Sequence, residues 1–269
     1  MCQAFGAEEL WKLIAQSHAI VVGSPAVPVD RIETAERTGK HEYVDVVVHV
    51  NKWLKGGQRD EKVTVRHYTE PRPYNLTLAT LRELNGKECV LFLYKSDEED
   101  VGGFYFAGYT PRAIQTASSE IVNKVGNEVS SQDKIIREFG HIFRAESEPS
   151  CAKVRPLIEA MLSRRTEEKA FADLEVMGKD AVPAMVMFMD DRRKLPIQHI
   201  ALRNDGGFEA FRQYGPQVVV DAVAALLNQI TGEIFDFISN GASERERKEA
   251  INAWRIYLYR TRFGTEAKP

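Results

Sequence analysis

The period of the hydrophobic positions changes once along this chain, near residue 115. Ahead of that point apolar residues alternate: Val44, Val46, Val48 and Val50 share one side of an extended segment, with Asp45, His49 and Asn51 on the other. Behind it the period is helical, as in the stripe Val154, Leu157, Ile158, Met161 and Leu162. A period of two marks half-buried strands, and a period near 3.6 marks amphipathic helices. The pattern predicts an α+β protein, a β unit followed by an α unit.

Within the front half, Leu10, Leu13 and Ile14 predict a short helix over 8–17. A strand over 19–22 follows, then Gly23, Pro25 and Pro28 bend the chain; the polar stretch 31–40 reads as a hairpin loop. The longest strand is 43–54, ending at the Gly56-Gly57 turn, and 62–68 alternates again. Pro71 and Pro73 break the sheet before a helix over 76–84. Residues 89–93 are apolar on both faces, as in a central strand, and an acidic turn at 97–100 leads to a fifth strand at 104–106. Five strands with a helix before the fourth fit an OB-like β-barrel.

Behind residue 117 the stripes Ile121, Val122, Val125 and Ile135, Ile136, Phe139 predict two helical pieces around a loop at 126–131. Pro149 and Ser150 mark a boundary, and Pro156 places the next helix start near Val154. Gly178 stops the helix of Phe171, Leu174 and Met177. Asp180 is suited to cap the following helix, whose first turn holds Pro183 and whose stripe is Val182, Met185, Val186 and Met189. Pro216 opens a helix carrying Val220, Val223, Leu227 and Ile230, and Ser243-x-x-Glu246 is a capping box for the last one. The division expected is a barrel over 1–117, a helical linker over 118–149 and an all-α domain over 150–269.

Two family resemblances attach to particular residues. Ser17-His18-Ala19-Ile20-Val21-Val22-Gly23, the strand from Tyr43 into Asn51-Lys52-Trp53-Leu54-Lys55-Gly56, and Gly86-Lys87-Glu88-Cys89-Val90-Leu91-Phe92-Leu93 resemble the netrin-like OB domains, which include the tissue inhibitors of metalloproteinases. In those inhibitors a mature N-terminal Cys, within a Cys-x-Cys start, presents its amine to the target's zinc. Here Met1 precedes Cys2 and position 4 is Ala4, so the chain departs from the family at the residues that carry inhibition. The positions in the resemblance imply a disulfide between Cys2 and Cys89. In the rear half, Met177-Gly178-Lys179-Asp180-Ala181-Val182-Pro183-Ala184-Met185 with Asp190-Asp191 looks like a HEAT-type repeat start. Leu227-Asn228-Gln229-Ile230-Thr231-Gly232 and the region from Asn240-Gly241 to Trp254 resemble bacterial HEAT-like proteins. That resemblance implies an interaction surface rather than a reaction.

Composition narrows the function classes. Of 269 residues 43% are hydrophobic and 28% charged, which places the chain among folded globular proteins. The net charge of −3, with no basic stripe, argues against nucleic acid as a partner. The run from Val218 to Leu227 is interrupted by Asp221 and too short to span a bilayer. Three scattered cysteines exclude a CxxC zinc knuckle. No signal peptide is seen, and Cys2 directly after Met1 suggests an exported chain whose signal has been removed. The expected location is therefore periplasmic or secreted, with cytoplasmic as the alternative.

Candidate chemistry is sparse. Six histidines show no HxH or HExxH spacing; His49 and His67, on strands that can be neighbours, are weak metal candidates set against two solvated strand positions. Asp190-Asp191 with Arg192-Arg193 suits a cation or a phosphate, but reads better as a helix end and its loop. The cluster at 97–100 lacks the spacing of a calcium loop. Trp53, Tyr68, Tyr105 and Tyr109 suggest an aromatic platform without the basic groove that stacking proteins use. There is no Gly-x-Ser-x-Gly elbow, dinucleotide fingerprint or P-loop, so no catalytic residue and no cofactor are assigned. The expectation is a non-enzymatic protein–protein interaction module, exported in a bacterium, with a protein partner. The alternative is a metal-dependent enzyme or protease inhibitor with its site at the domain junction.

Overall fold

A computed structural model describes residues 7–40, 42–56, 60–69, 76–95, 105–107, 111–196, 199–203, 211–235 and 237–264. The chain has an α+β architecture in two compact units, Met1–Ser131 and Gln132–Pro269. The division falls inside the stretch expected to be a linker. Among the described residues no helix is long and apolar enough to cross a membrane.

The first unit is built from α1 (Ala7–Gln16), β1 (Ala19–Ala26), α2 (Val29–Thr38), β2 (Tyr43–Lys55), β3 (Lys62–Tyr68), α3 (Leu76–Glu83), β4 (Cys89–Lys95), β5 (Tyr105–Ala107) and β6 (Ile114–Thr116). Helix α4 (Ser119–Ile142) follows, and the division between the units lies within it. Strand β1 pairs antiparallel with both β2 and β4; β2 pairs with β3, and β4 with β5 and β6, also antiparallel. The β3–β5 pairing is parallel, through Val65 and Tyr105.

The alternation seen in β2 and β3 is used on one side: Val44, Val46, Val48, Val63 and Val65 are buried in one core with Leu78, Leu81 and Leu84 around α3. Strands β1 and β4 are buried on both faces. Ala19, Val21, Cys89, Leu91 and Leu93 enter that first core. Ile20, Val22, Val90 and Phe92 enter a second, covered by Leu10, Leu13 and Ile14 of α1 and by Val125 and Val129 of α4. A strand buried on both faces reads as a continuous apolar run, which is why 89–93 does not alternate.

Three segments differ from the sequence expectation: β6, a sixth strand where five were expected, and the two that follow. The stretch expected to be a hairpin loop is α2, which buries only Ile32 and Ala35, keeps its polar face in solvent, and ends at Gly39 with φ 66°. Two buried residues are a faint period, and an αL glycine one position past the end is the stop signal. The expected loop at 126–131 is the middle of α4; Ser130 Oγ donates to the carbonyl oxygen of Gly126 at 2.9 Å, the local bond a helix offers serine. Isolated Gly and Ser residues cost a helix little enough for flanking burial to carry it through.

The second unit contains α5 (Cys151–Ala160), α6 (Glu167–Met177), α7 (Val182–Met187), β7 (Ile200–Arg203), β8 (Phe211–Tyr214), α8 (Val219–Thr231) and α9 (Glu244–Phe263). The β7–β8 hairpin corrects the expectation of an all-α domain. Only three apolar-polar steps, with Ile200 and Leu202 buried and Ala201 exposed, announce β7 in the sequence. Helix α8 is buried from Val219 through Asn228 and is the unit's central rod. Pro156 lies inside α5 rather than ahead of it, and the helix begins at Cys151. Asp180 caps nothing; it lies in a 3-10 turn over Gly178–Ala181. The capping box of α9 forms as read: Ser243 Oγ accepts from Glu246 N at 3.3 Å, and Ser243 N donates to Glu246 Oε2 at 2.8 Å.

Glycine has opposite meanings at two positions. A Cβ on Gly23 would lie 2.4 Å from the carbonyl oxygen of His49, on the paired strand, whereas one on Gly126 would meet nothing within 4 Å. Gly23→Ala is expected to destabilise the protein by roughly 1–3 kcal/mol, and Gly126→Ala to stabilise it by about 0.5–1 kcal/mol. Urea unfolding of both variants checks this, and two shifts of the same sign would refute the packing described here.

Candidate functional site

The two histidines weighed as metal ligands stand on opposite faces of the sheet. His67 is opposite Val44 in the β2–β3 register, so it points to the buried side; His49 is opposite Lys62 and exposed. Side chains alternate along a strand, and the odd step from 44 to 49 separates them. They do not form a joint site. Among the described residues no three His, Cys, Asp or Glu side chains are grouped to hold a metal ion. Of the other histidines, His18 accepts from Lys95 N through Nδ1 at 3.0 Å, and His199 lines the cleft described below.

Cys89 is a buried free thiol whose Sγ donates to the Gly23 carbonyl at 3.3 Å. Burial pushes its pKa up to about 12, so it is no nucleophile. Cys2, its partner in the resemblance, lies outside the described residues, as do the acidic cluster at 97–100 and Tyr109. Cys151 is also a buried free thiol, with its pKa raised first by burial. The Tyr68 side chain lies outside the described residues as well; Tyr105 is buried in the first core, and Trp53 packs against that core while donating Nε1–H to the Asp60 carbonyl.

The segment from Asp190 to Arg193 is a staple. Arg193 places two guanidinium nitrogens on Glu159 of α5, at 2.7 and 2.8 Å, and also binds Asp191. Its carbonyl accepts from Val219 N at the start of α8, and the Asp191 carbonyl from Val220 N. Arg192 binds Glu244 at 2.9 Å, and Asp190 binds Arg255, so α9 is held as well. The Arg193 hydrogen bonds hold the Glu159 carboxyl below its ordinary range, and Arg192 does the same for Glu244. Both arginines are spent on carboxylates within the unit, which removes the phosphate reading. Beside the staple, Arg247 binds Asp221 through two nitrogens at 2.8 and 3.0 Å, both side chains being buried. Asp221 Oδ2 also accepts from Gln217 N and Val218 N, fixing the start of α8.

The cleft of the second unit lies between α6 and β7 and has a volume of about 220 Å³. Phe171, Ile200 and Leu202 form its apolar floor. Glu167, Glu168 and Glu175 surround them, with His199 at the mouth. Glu167, Phe171 and Glu175 are four residues apart on one helix and share a face, with Glu168 beside the first of them. Glu167 is buried at the first position of α6, where the helix dipole favours a carboxylate. The sequence reading missed these residues, because acids at i, i+1 and i+8 look like any solvated helix face until β7 is laid against them. Their chemistry is that of a negative rim over an apolar base. No serine or cysteine is among the residues lining the cleft.

A scan against protein-family models returns no match, and no curated protein matches the chain.

Two measurements test this picture. Arg247→Met strands a buried carboxylate and is expected to cost about 3–5 kcal/mol, whereas Asp221→Leu with Arg247→Met together costs less; a double-mutant cycle by urea unfolding reads both. At pH 8 the reduced native protein should alkylate at Cys89 about a thousandfold more slowly than after unfolding, from the thiolate fraction alone. Mass spectrometry of tryptic peptides after timed iodoacetamide exposure follows this, and equal rates would contradict it.

Proposed function

We propose that this chain is a non-enzymatic protein–protein interaction module, with an OB-like, netrin-type barrel in front of a HEAT-like helical domain. The barrel reading is supported by the cyclic order of pairings, β1 to β2 to β3 to β5 to β4 and back to β1, with α3 ahead of β4. The HEAT-like reading is supported by the run of short helices from α5 onward and by Pro183 in the first turn of α7. The exported, bacterial setting belongs to the same proposal and is carried by the two resemblances.

The observation that carries the binding reading is the α6–β7 cleft. Its acidic rim and apolar floor complement a segment that presents Lys or Arg beside an apolar side chain. On the same helix Val176 is 88% exposed, an apolar residue left in water next to Glu175. Such contact is of the peptide-docking kind, with charge setting register and apolar anchors supplying affinity.

Fluorescence anisotropy with labelled 15-residue peptides of alternating Lys-Leu and Glu-Leu pattern tests it. The basic peptide should bind, and Glu168→Lys with Glu175→Lys should weaken it by about tenfold or more, with a steep salt dependence. Equal binding of both peptides, or no effect of the charge reversal, would refute the cleft as the docking site.

A further inference from the structure

His67 is the buried histidine of the described residues, 7% exposed, and its Nε2 is sealed from solvent without a hydrogen-bond partner among them. It stands on the inward side of β3, opposite Val44 and two residues beyond Val65. The core bordering that side is apolar: Val44 and Val46 from β2, Leu91 and Leu93 from β4, Ile32 from α2, and Leu78 and Leu81 from α3. Its titratable members among the described residues are the Tyr105 phenol on β5 and the Cys89 thiol on β4, whose pKa burial pushes up to about 12. Among the described residues, two nearby charged pairs are engaged with each other, Arg66 with Asp45 and Arg31 with Glu42. Among the described residues, an imidazolium at position 67 would have neither water nor a counter-ion. Burial accordingly lowers the histidine's pKa to about 4.

Among the described residues the same strand borders the shortest seam of the sheet. Seven residue pairs join β3 to β2, but among the described residues only Val65 and Tyr105 join it to β5. A proton on His67 can be hydrated only if this end of β3 leaves the core, and the β3–β5 seam is where the fewest bonds resist. We propose that His67 is an acid-operated latch on β3: neutral, it closes the strand over the core; protonated, it releases the strand at its seam with β5 and exposes a sheet edge.

The direction follows from linkage. The closed state binds the proton more weakly than the open one, so its advantage is complete above about pH 6.5 and is lost as pH falls toward about 4. Between pH 7.5 and 5.0 the opening equilibrium should rise about 30-fold. Hydrogen exchange on the full chain, corrected for the intrinsic pH dependence of exchange, reads this directly. Protection over 62–68 should fall about 30-fold at pH 5.0 in the native protein, with β1 and β4 unchanged, and should not fall in His67→Leu. Loss of protection in both proteins, or in neither, overturns the proposal. NMR titration of the His67 ring in the native protein gives a second test without any variant. The ring should remain neutral down to pH 5, and protonation of the folded form near pH 6.5 overturns the latch even if His67→Leu does not fold.

Discussion

The first unit depends on two adjacent strands that have no polar face. In β1 and β4 every position from Ala19 to Val22 and from Cys89 to Leu93 is buried, and alternate residues serve two different cores. An antiparallel pair of this kind cannot lie at a surface. It must be covered on both sides: residues of β2, β3 and α3 share the first core with it, and α1 and α4 cover the second. The close approach at Gly23, where even a methyl group would meet the backbone of β2, belongs to the same constraint. The long strand β2 has to press against β1 for Val44, Val46 and Val48 to reach the core.

The second unit is organised by charge placed at helix ends. Its central helix α8 is apolar almost throughout and could be enclosed in several orientations. Asp221 at its start removes that freedom, because a buried carboxylate must be met by Arg247 and by the backbone N–H groups of Gln217 and Val218. Such a pair adds little net stability once its desolvation is counted, but leaving either partner alone is costly, so it selects one arrangement. The segment from Asp190 to Arg193 does the same at a more exposed level, reaching α5, α8 and α9 from one short loop.

Function is read from what these constraints leave over. The staple uses up its arginines, the buried thiols are inert, and the two histidines once set side by side face opposite ways. What is left in the second unit is a cleft whose character is acidic outside and apolar beneath. In the first unit it is an imidazole in a core that gives it no partner.

The sequence by itself determined the elements that carry a strong period. Strand β3 lies over Lys62–Tyr68 as read, β2 over Tyr43–Lys55, and the capping box at Ser243 and Glu246 marks the start of α9 to the residue. These depend on near neighbours in the chain, so local pattern suffices. Elements with one or two buried residues, α2, β6 and the β7–β8 hairpin, were not legible, because their stability comes from partners distant in sequence. The cleft was hidden for the same reason: Glu167 and Leu202 belong to one surface only after the hairpin has folded back on α6. The parity that parts His49 from His67 was present in the sequence all along, but it acquired meaning only when the register opposed Val44 to His67, and register is fixed by the cores that the sheet faces.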